Sequence, residues 1–233
     1  MSSNRTLDLP NPMGDVAEED TYPRVLHDLT GMEVETLSVP WLTAKDARSQ
    51  IKKITDCNAS FFILNVGMAE SLPHIYPIWI RKMINKFPIL PVRRRLNNLE
   101  SQLIILTNRR KPWISRDDYG RCVKKTIERA QQKFQNPRVI LINTCHSGDF
   151  VERKRPGTNN NIEVLNDELK KVAEETGAEY LDIDSVSDDS KFIYDRVHFN
   201  AQGHRQTAEV LRQIMENNSR EIQPLSKLQE AAE

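Results

Sequence analysis

The chain has 233 residues, 38% of them hydrophobic and 28% charged, with 33 Lys+Arg set against 33 Asp+Glu. That length and balance predict one soluble globular domain, and charges or prolines interrupt every apolar run well short of the roughly 20 residues a membrane span needs. The opening Met1–Asp8 stretch lacks the basic and apolar regions of a secretory signal, which predicts a cytoplasmic chain. Cys57, Cys122 and Cys145 are odd in number and widely spaced, so reduced thiols are expected rather than a disulfide framework or a metal knuckle.

In chain order, helix is predicted over Thr21–Leu29, a candidate strand over Val34–Val39, and helix over Ala44–Ile54. The apolar run Phe61-Phe-Ile-Leu-Asn-Val66 reads as a buried parallel strand. A basic helical insertion at about 71–116 follows, then helix over Asp117–Phe134 and a second buried strand over Val139–Ile142. A helix over Ile162–Thr176 carries Ile162, Leu165, Leu169, Val172 and Ala173 on one face, with Asn159–Asn161 as its expected cap and Gly177 as its stop. A weaker strand, Glu179–Ile183, precedes a last helix over Gln202–Met215 with Asn200 as candidate cap. The alternation predicts an α/β domain over 1–216, its mostly parallel sheet covered on both faces, and a polar, mobile tail over 217–233. In such folds ligands sit at the carboxyl ends of the strands.

The balanced total hides an asymmetry. Cations crowd between Arg81 and Lys125, where only Glu100, Asp117 and Asp118 oppose them, and the rest of the chain is correspondingly acidic. This points to an anionic partner for the middle segment. Apolar residues from Ile75 to Leu90 are mixed with these cations, as in interfacial helices, so an anionic membrane surface is one candidate partner, placing the chain at the periphery of the inner membrane. Pro77, Pro88 and Pro91 are expected to break any long amphipathic helix, which favours an insertion packed on the domain. A nucleic-acid partner is not expected, since composition alone suggests one.

The motif richest in chemistry is Asp195-Arg-Val-His198-Phe-Asn-Ala-Gln-Gly203-His204, just before the last helix. An aspartate three residues ahead of a histidine can accept the imidazole Nδ1 proton and leave Nε2 as a general base, half of a hydrolytic triad. The same pair could also persist as a structural element without turnover. His204 falls within the helix and reads as structural. A second candidate is Asn143-Thr-Cys-His146-Ser-Gly-Asp149, whose irregular spacing does not support a metal site. Phosphate-loop, dinucleotide and HExxH signatures are absent, so no cofactor is expected.

The order of these blocks resembles the SGNH/GDSL hydrolase superfamily, three-layer α/β/α enzymes with a flavodoxin-like sheet that cleave acyl esters, often on carbohydrates. The closing block is similar to its Asp-x-x-His motif, the stretch Asp20–Val34 to its first helix and second strand, and Phe61–Glu70 to its third block. The layout further resembles a subgroup found among bacterial surface-polysaccharide genes, with a basic insertion after the third block and an Asn-rich helix start before the last strand. The resemblance spans about residues 6–215. It implies His198 as base oriented by Asp195, a nucleophile at Ser3 or Thr6 (or Ser2), and substrate contacts at Trp41, Gly67, Glu70 and Arg93–Arg95.

The departures are specific. The Gly-Asp-Ser nucleophile block expected after the first strand has no clear counterpart, so that strand is short or missing; another alignment puts Gly14-Asp15-Val16 there and replaces the serine with valine. Trp41 stands where the family has an oxyanion glycine, and Met68 or Ala69 where it has an oxyanion asparagine. Losing one such donor typically costs about 2.7–4 kcal/mol of transition-state stabilisation. Two functions follow: an esterase or acyl transferase acting on a glycan or glycolipid, or an inactive relative that binds a saccharide or partner in polysaccharide biosynthesis.

Overall fold

The structure of the chain, a computed structural model, describes residues 16–37, 42–54, 58–77, 80, 83–84, 90–192 and 196–222. Strands β1 (Phe61–Asn65), β2 (Arg138–Ile142) and β3 (Glu179–Leu181) form a parallel sheet in that spatial order. Phe61 pairs with Arg138 and Asn65 with Ile142, while Ile140 pairs with Glu179 and Ile142 with Leu181. The three continuous apolar runs of the sequence are these strands. Apart from Asn65, Arg138 and Glu179 at their ends they are apolar, because both faces of the sheet are covered and successive side chains enter opposite cores.

β2 makes this plain. Val139 and Leu141 enter one core with Leu64 and Val66, against α2 (Ala44–Gln50), α5 (Arg116–Lys133) and α7 (Thr158–Thr176). Ile140 and Ile142 enter the other with Leu181 and Ile183, against α1 (Tyr22–Thr30) and α9 (Ala201–Ile222). Helices on both faces of a parallel sheet make the expected three-layer α/β/α fold. The predicted stripe of α7 is buried throughout, as are Ala208, Leu211 and Met215 of α9.

Several boundaries differ from expectation. Residues 34–37 of the fourth candidate strand form none, with Glu35 and Thr36 exposed, and 38–39 lie outside the described residues. A segment that alternates Glu-Val-Glu has one apolar side only and lacks the run of a doubly covered strand. α7 begins at Thr158 with Gly157 as its N-cap, so the asparagines expected to cap it lie in its first turn, and Gly177 ends it at φ 68°. α9 is capped by Asn200, whose Oδ1 accepts from Gly203 N at 3.0 Å, and it continues to Ile222, past the expected end at Met215 and into the predicted tail. Residues 223–233 lie outside the described residues, as does the expected first-strand region.

The expected helical insertion holds a 17-residue helix, α4 (Leu90–Leu106), which begins after Pro77 and Pro88. Pro91 sits in its first turn, where the missing N–H has no intrahelical acceptor to lose. Its Glu100 and Ile104 are fully buried. Behind them, Glu100 accepts from Arg155 Nη2 at 2.8 Å and pairs with His74 Nδ1 at 3.1 Å. Among the described residues no helix is long and apolar enough to cross a membrane.

Candidate active site

In the Asp-x-x-His loop, the described residues on either side of 193–195 are tied together. Phe192 and Phe199 form an antiparallel bridge, with ring centroids 5.0 Å apart. Asn200 N–H donates to Lys191 O at 2.9 Å, and Asn200 Nδ2 donates to Ser190 O and Phe192 O at 2.6 and 3.3 Å. The chain lies so close across the start of α9 that a Cβ on Gly203 would stand 2.2 Å from Lys191 O and 2.8 Å from Phe199 Cδ1. Glycine at 203 is therefore a condition of this loop. His198 is exposed. Asp195 lies outside the described residues, as do Ser2, Ser3, Thr6 and Trp41.

His204, on the first turns of α9, is structural as predicted. Its Nδ1 accepts from the Tyr22 backbone N–H at 3.2 Å, and its ring stacks on Tyr22 with centroids 6.0 Å apart. Burial, then the neighbouring His198, push its pKa down to about 4, so it is neutral at physiological pH. This contact puts the start of α1, and the chain entering it, against the His198 loop.

At the end of β1, Gly67 adopts φ 130°, and a Cβ there would lie 2.7 Å from Thr144 Oγ1 and 3.0 Å from the Tyr119 hydroxyl. Tyr119 OH donates to Val66 O at 3.0 Å and fixes this turn from below. The turn opens the short helix α3 (Met68–Ser71). Met68 and Ala69 carry no side-chain N–H, so neither replaces an asparagine as oxyanion donor.

Glu70, expected as a substrate contact, places its carboxylate between α3 and α2. It is 2% exposed, and its Oε1 accepts from Ala44 N at 2.5 Å, joining α3 to the N-terminus of α2. Burial is the main cause that raises its pKa to about 7, with Asp46 adding to the rise, while the bond from Ala44 opposes it. Its second oxygen, Oε2, has no hydrogen-bond partner among the described residues. Arg93, Arg94 and Arg95 fall in the first turns of α4, Arg95 being exposed.

Beyond β2 and β3, where the short helices α6 (Asp149–Lys154) and α8 (Ile183–Val186) follow, Asn143 and His146 of the second candidate segment join Asp182, Asp184 and Glu163, which the sequence did not single out. Asn143 Nδ2 donates to Asp182 Oδ1 at 2.7 Å, and Asn143 Oδ1 accepts from Ile183 N at 2.8 Å. His146 lies between two carboxylates, Nδ1 2.6 Å from Asp184 Oδ2 and Nε2 3.1 Å from Glu163 Oε1. Only the imidazolium donates to both. Burial lowers its pKa, but these two bonds outweigh it and raise the value. Arg196, inside the Asp-x-x-His motif, donates to His146 O at 3.1 Å and to Asp189 Oδ1 at 2.5 Å, and its Nη1 lies 3.5 Å from Asp184. Its guanidinium also covers the Phe192 ring at 5.2 Å. Cys145 is buried, and burial pushes its thiol up to about 12, so it is no nucleophile.

The asparagines of α7 hold these loops instead of capping their own helix. Asn159 Oδ1 accepts from Ser147 N and Oγ, Asn161 Nδ2 donates to Ser71 O and Arg110 O, and Asn166 bonds both backbone groups of Thr144. The Asn-rich start was the visible signal, but its meaning depends on strands far away in sequence.

The fold has known counterparts. A carbohydrate acetylesterase family member from Sinorhizobium meliloti superposes with a TM-score of 0.58 at 13% identity, covering 87% of this chain and 88% of that one. An aryl esterase from M. smegmatis gives 0.57 at 11%, covering 88% of each chain. An acetylxylan esterase from Geobacillus stearothermophilus gives 0.52 at 13%, covering 82% of this chain and 78% of its own. No curated protein sequence matches the chain. Residues 11–206 match the sequence model of one family of ester hydrolases, and the chain belongs to it: the GDSL-like lipase/acylhydrolase family.

Proposed function

We propose that the protein cleaves or transfers an acyl ester on a sugar, with His198 as general base and Asp195 as the residue that orients it. The observation that supports this reading is an exposed His198 in a segment bridged at Phe192–Phe199 and fastened by Arg196 to Asp184. In this scheme a hydroxyl attacks the acyl carbon and passes its proton to His198; the tetrahedral intermediate collapses as His198 returns that proton to the departing sugar oxygen. Water, or an acceptor sugar hydroxyl in the transferase version, then takes the acyl group by the reverse proton movements. Ser3 and Thr6 are the proposed nucleophiles, although both precede the family match, which begins at residue 11. The acetylesterase names of two structural relatives support a sugar ester as substrate.

A second reading, a saccharide-binding relative without turnover, is favoured by Met68 and Ala69, which supply no oxyanion side chain, and by Gly14-Asp15-Val16, which falls inside the family match and carries no hydroxyl. Release of acetate from acetylated xylo-oligosaccharides separates the two. The esterase reading predicts release that falls by about 10⁴-fold or more in His198→Ala, as when a triad member is removed. Binding of these oligosaccharides with no release by a folded protein, or release unchanged in His198→Ala, overturns it.

A further inference from the structure

The insertion builds a cleft of its own beyond the end of β1. It is an open depression of about 290 Å³, lined by His74, Ile75, Tyr76, Pro77, Arg109 and Trp113. Its walls are fixed. Trp113 N donates to Glu70 O at 2.8 Å and its indole Nε1 donates to Tyr76 O at 3.2 Å, so the ring has one orientation. His74 lies against Trp113 with centroids 4.0 Å apart, and Glu100 holds both the His74 ring and Ile75 N. Arg155 locks this carboxylate from behind and also donates to Pro73 O at 3.0 Å. Such support is what preorganises a binding site.

The lining has two kinds of recognition group. Tyr76 and Trp113 offer partly exposed aromatic surface, while Arg109 is exposed at the edge beside the equally exposed Arg110 and Lys111. Arg109 makes no ion pair among the described residues, and a guanidinium fork matches a carboxylate. With His74 against one face, Trp113 has only its other face to offer a ligand, which suits the C–H face of a pyranose better than the sandwiching of a flat base. The volume is close to the lower end of small-ligand sites and fits one or two sugar units.

We propose that this cleft binds an acidic sugar unit of the glycan substrate, its ring on Tyr76 and Trp113 and its carboxylate on Arg109. The proposal rests on the sugar-ester reading above and adds the charge of the sugar to it. It moves the anion contact from the expected Arg93–Arg95 to Arg109.

Calorimetric titration of the full chain with trigalacturonate, maltotriose and AMP tests it. Trigalacturonate is expected to bind about tenfold or more tightly than either of the others, and Arg109→Gln and Trp113→Ala each to weaken it about tenfold. Equal binding of maltotriose, tighter binding of AMP, or unchanged affinity in Arg109→Gln overturns the proposal. Arg109 is exposed, so its variant keeps the test decisive if Trp113→Ala does not fold. Binding needs no turnover: acetate release without trigalacturonate binding sinks the acidic-sugar site alone, and trigalacturonate binding without acetate release sinks the esterase reading alone.

Discussion

Arg196 Nη1 stands 3.5 Å from Asp184 Oδ1, so a residue of the loop that carries His198 is paired with the carboxylate just past the end of β3. Its other contacts, to His146 O, Asp189 and the Phe192 ring, fasten the loop at several points. Arg196 accepts a left-handed backbone, φ 52°, to make them. For a non-glycine residue that conformation is uncommon and is kept only where surrounding contacts enforce it.

Arg196→Lys keeps the charge and loses the fork, and a 1 Å displacement of a catalytic group can cost a hundredfold. We expect kcat to fall about 10- to 100-fold with KM little changed, and Arg196→Ala to fall further. Steady-state kinetics on an acetyl ester check this. A KM effect without a kcat effect would assign Arg196 to substrate binding instead.

Gly203→Ala places a methyl 2.2 Å from Lys191 O, a backbone atom that cannot swing away. The bridge between Phe192 and Phe199 must open or α9 must shift. The expected result is a loss of about 2–3 kcal/mol in denaturant unfolding, as for other overpacked sites, together with loss of activity.

Glu70 gives a pH dependence whose sign is set by burial. Its pKa is raised from an ordinary 4.5 to about 7 in the folded chain. The folded state therefore holds a proton that the unfolded chain has released between these values, and stability falls as pH rises through that window. Full stabilisation is present below about pH 4.5, and above about pH 7 the loss is complete. Glu70→Gln keeps an acceptor for Ala44 N and cannot ionise, so it should flatten this slope and raise stability at pH 8, by on the order of 3 kcal/mol at most. Urea unfolding from pH 4.5 to 8 checks both proteins.

Glu100 behaves in the opposite way. Burial alone would raise its pKa, but His74 and Arg155 outweigh that and hold it at about 2. Its stabilising contribution is present above the ordinary carboxyl range and is lost as pH falls toward 2. Glu100→Ala leaves Arg155, itself 8% exposed, without its carboxylate. Breaking such a buried pair costs about 3–5 kcal/mol, and thermal unfolding should show it.

What the sequence made legible was local. β1 and β2 were visible because a strand buried on both faces is apolar at every position, and α7 because its stripe at helical spacing needs no distant partner to be recognised. Asn200 was visible as a cap because its acceptor role serves Gly203, three residues on. The network at the site was not. Asp184 and Glu163 lie 38 and 17 residues from His146, and the bonds between them exist only once β2, β3 and α7 are packed. Glu70 reads as a polar residue in a loop block, yet the docking of α2 buries it. The helical character of the insertion was legible, but not that α4 begins only at Leu90, with Pro91 in a first turn where proline is tolerated.

The central claim is that His198 activates a hydroxyl, and fluorophosphonate labelling tests it without a choice of ester. The folded wild-type chain should be labelled at a single hydroxyl, mapped by mass spectrometry, with Ser3 and Thr6 as the proposed positions. Labelling should vanish in His198→Ala, its folding checked by circular dichroism. A folded wild-type chain that takes no label, or label that persists in His198→Ala, would contradict the account.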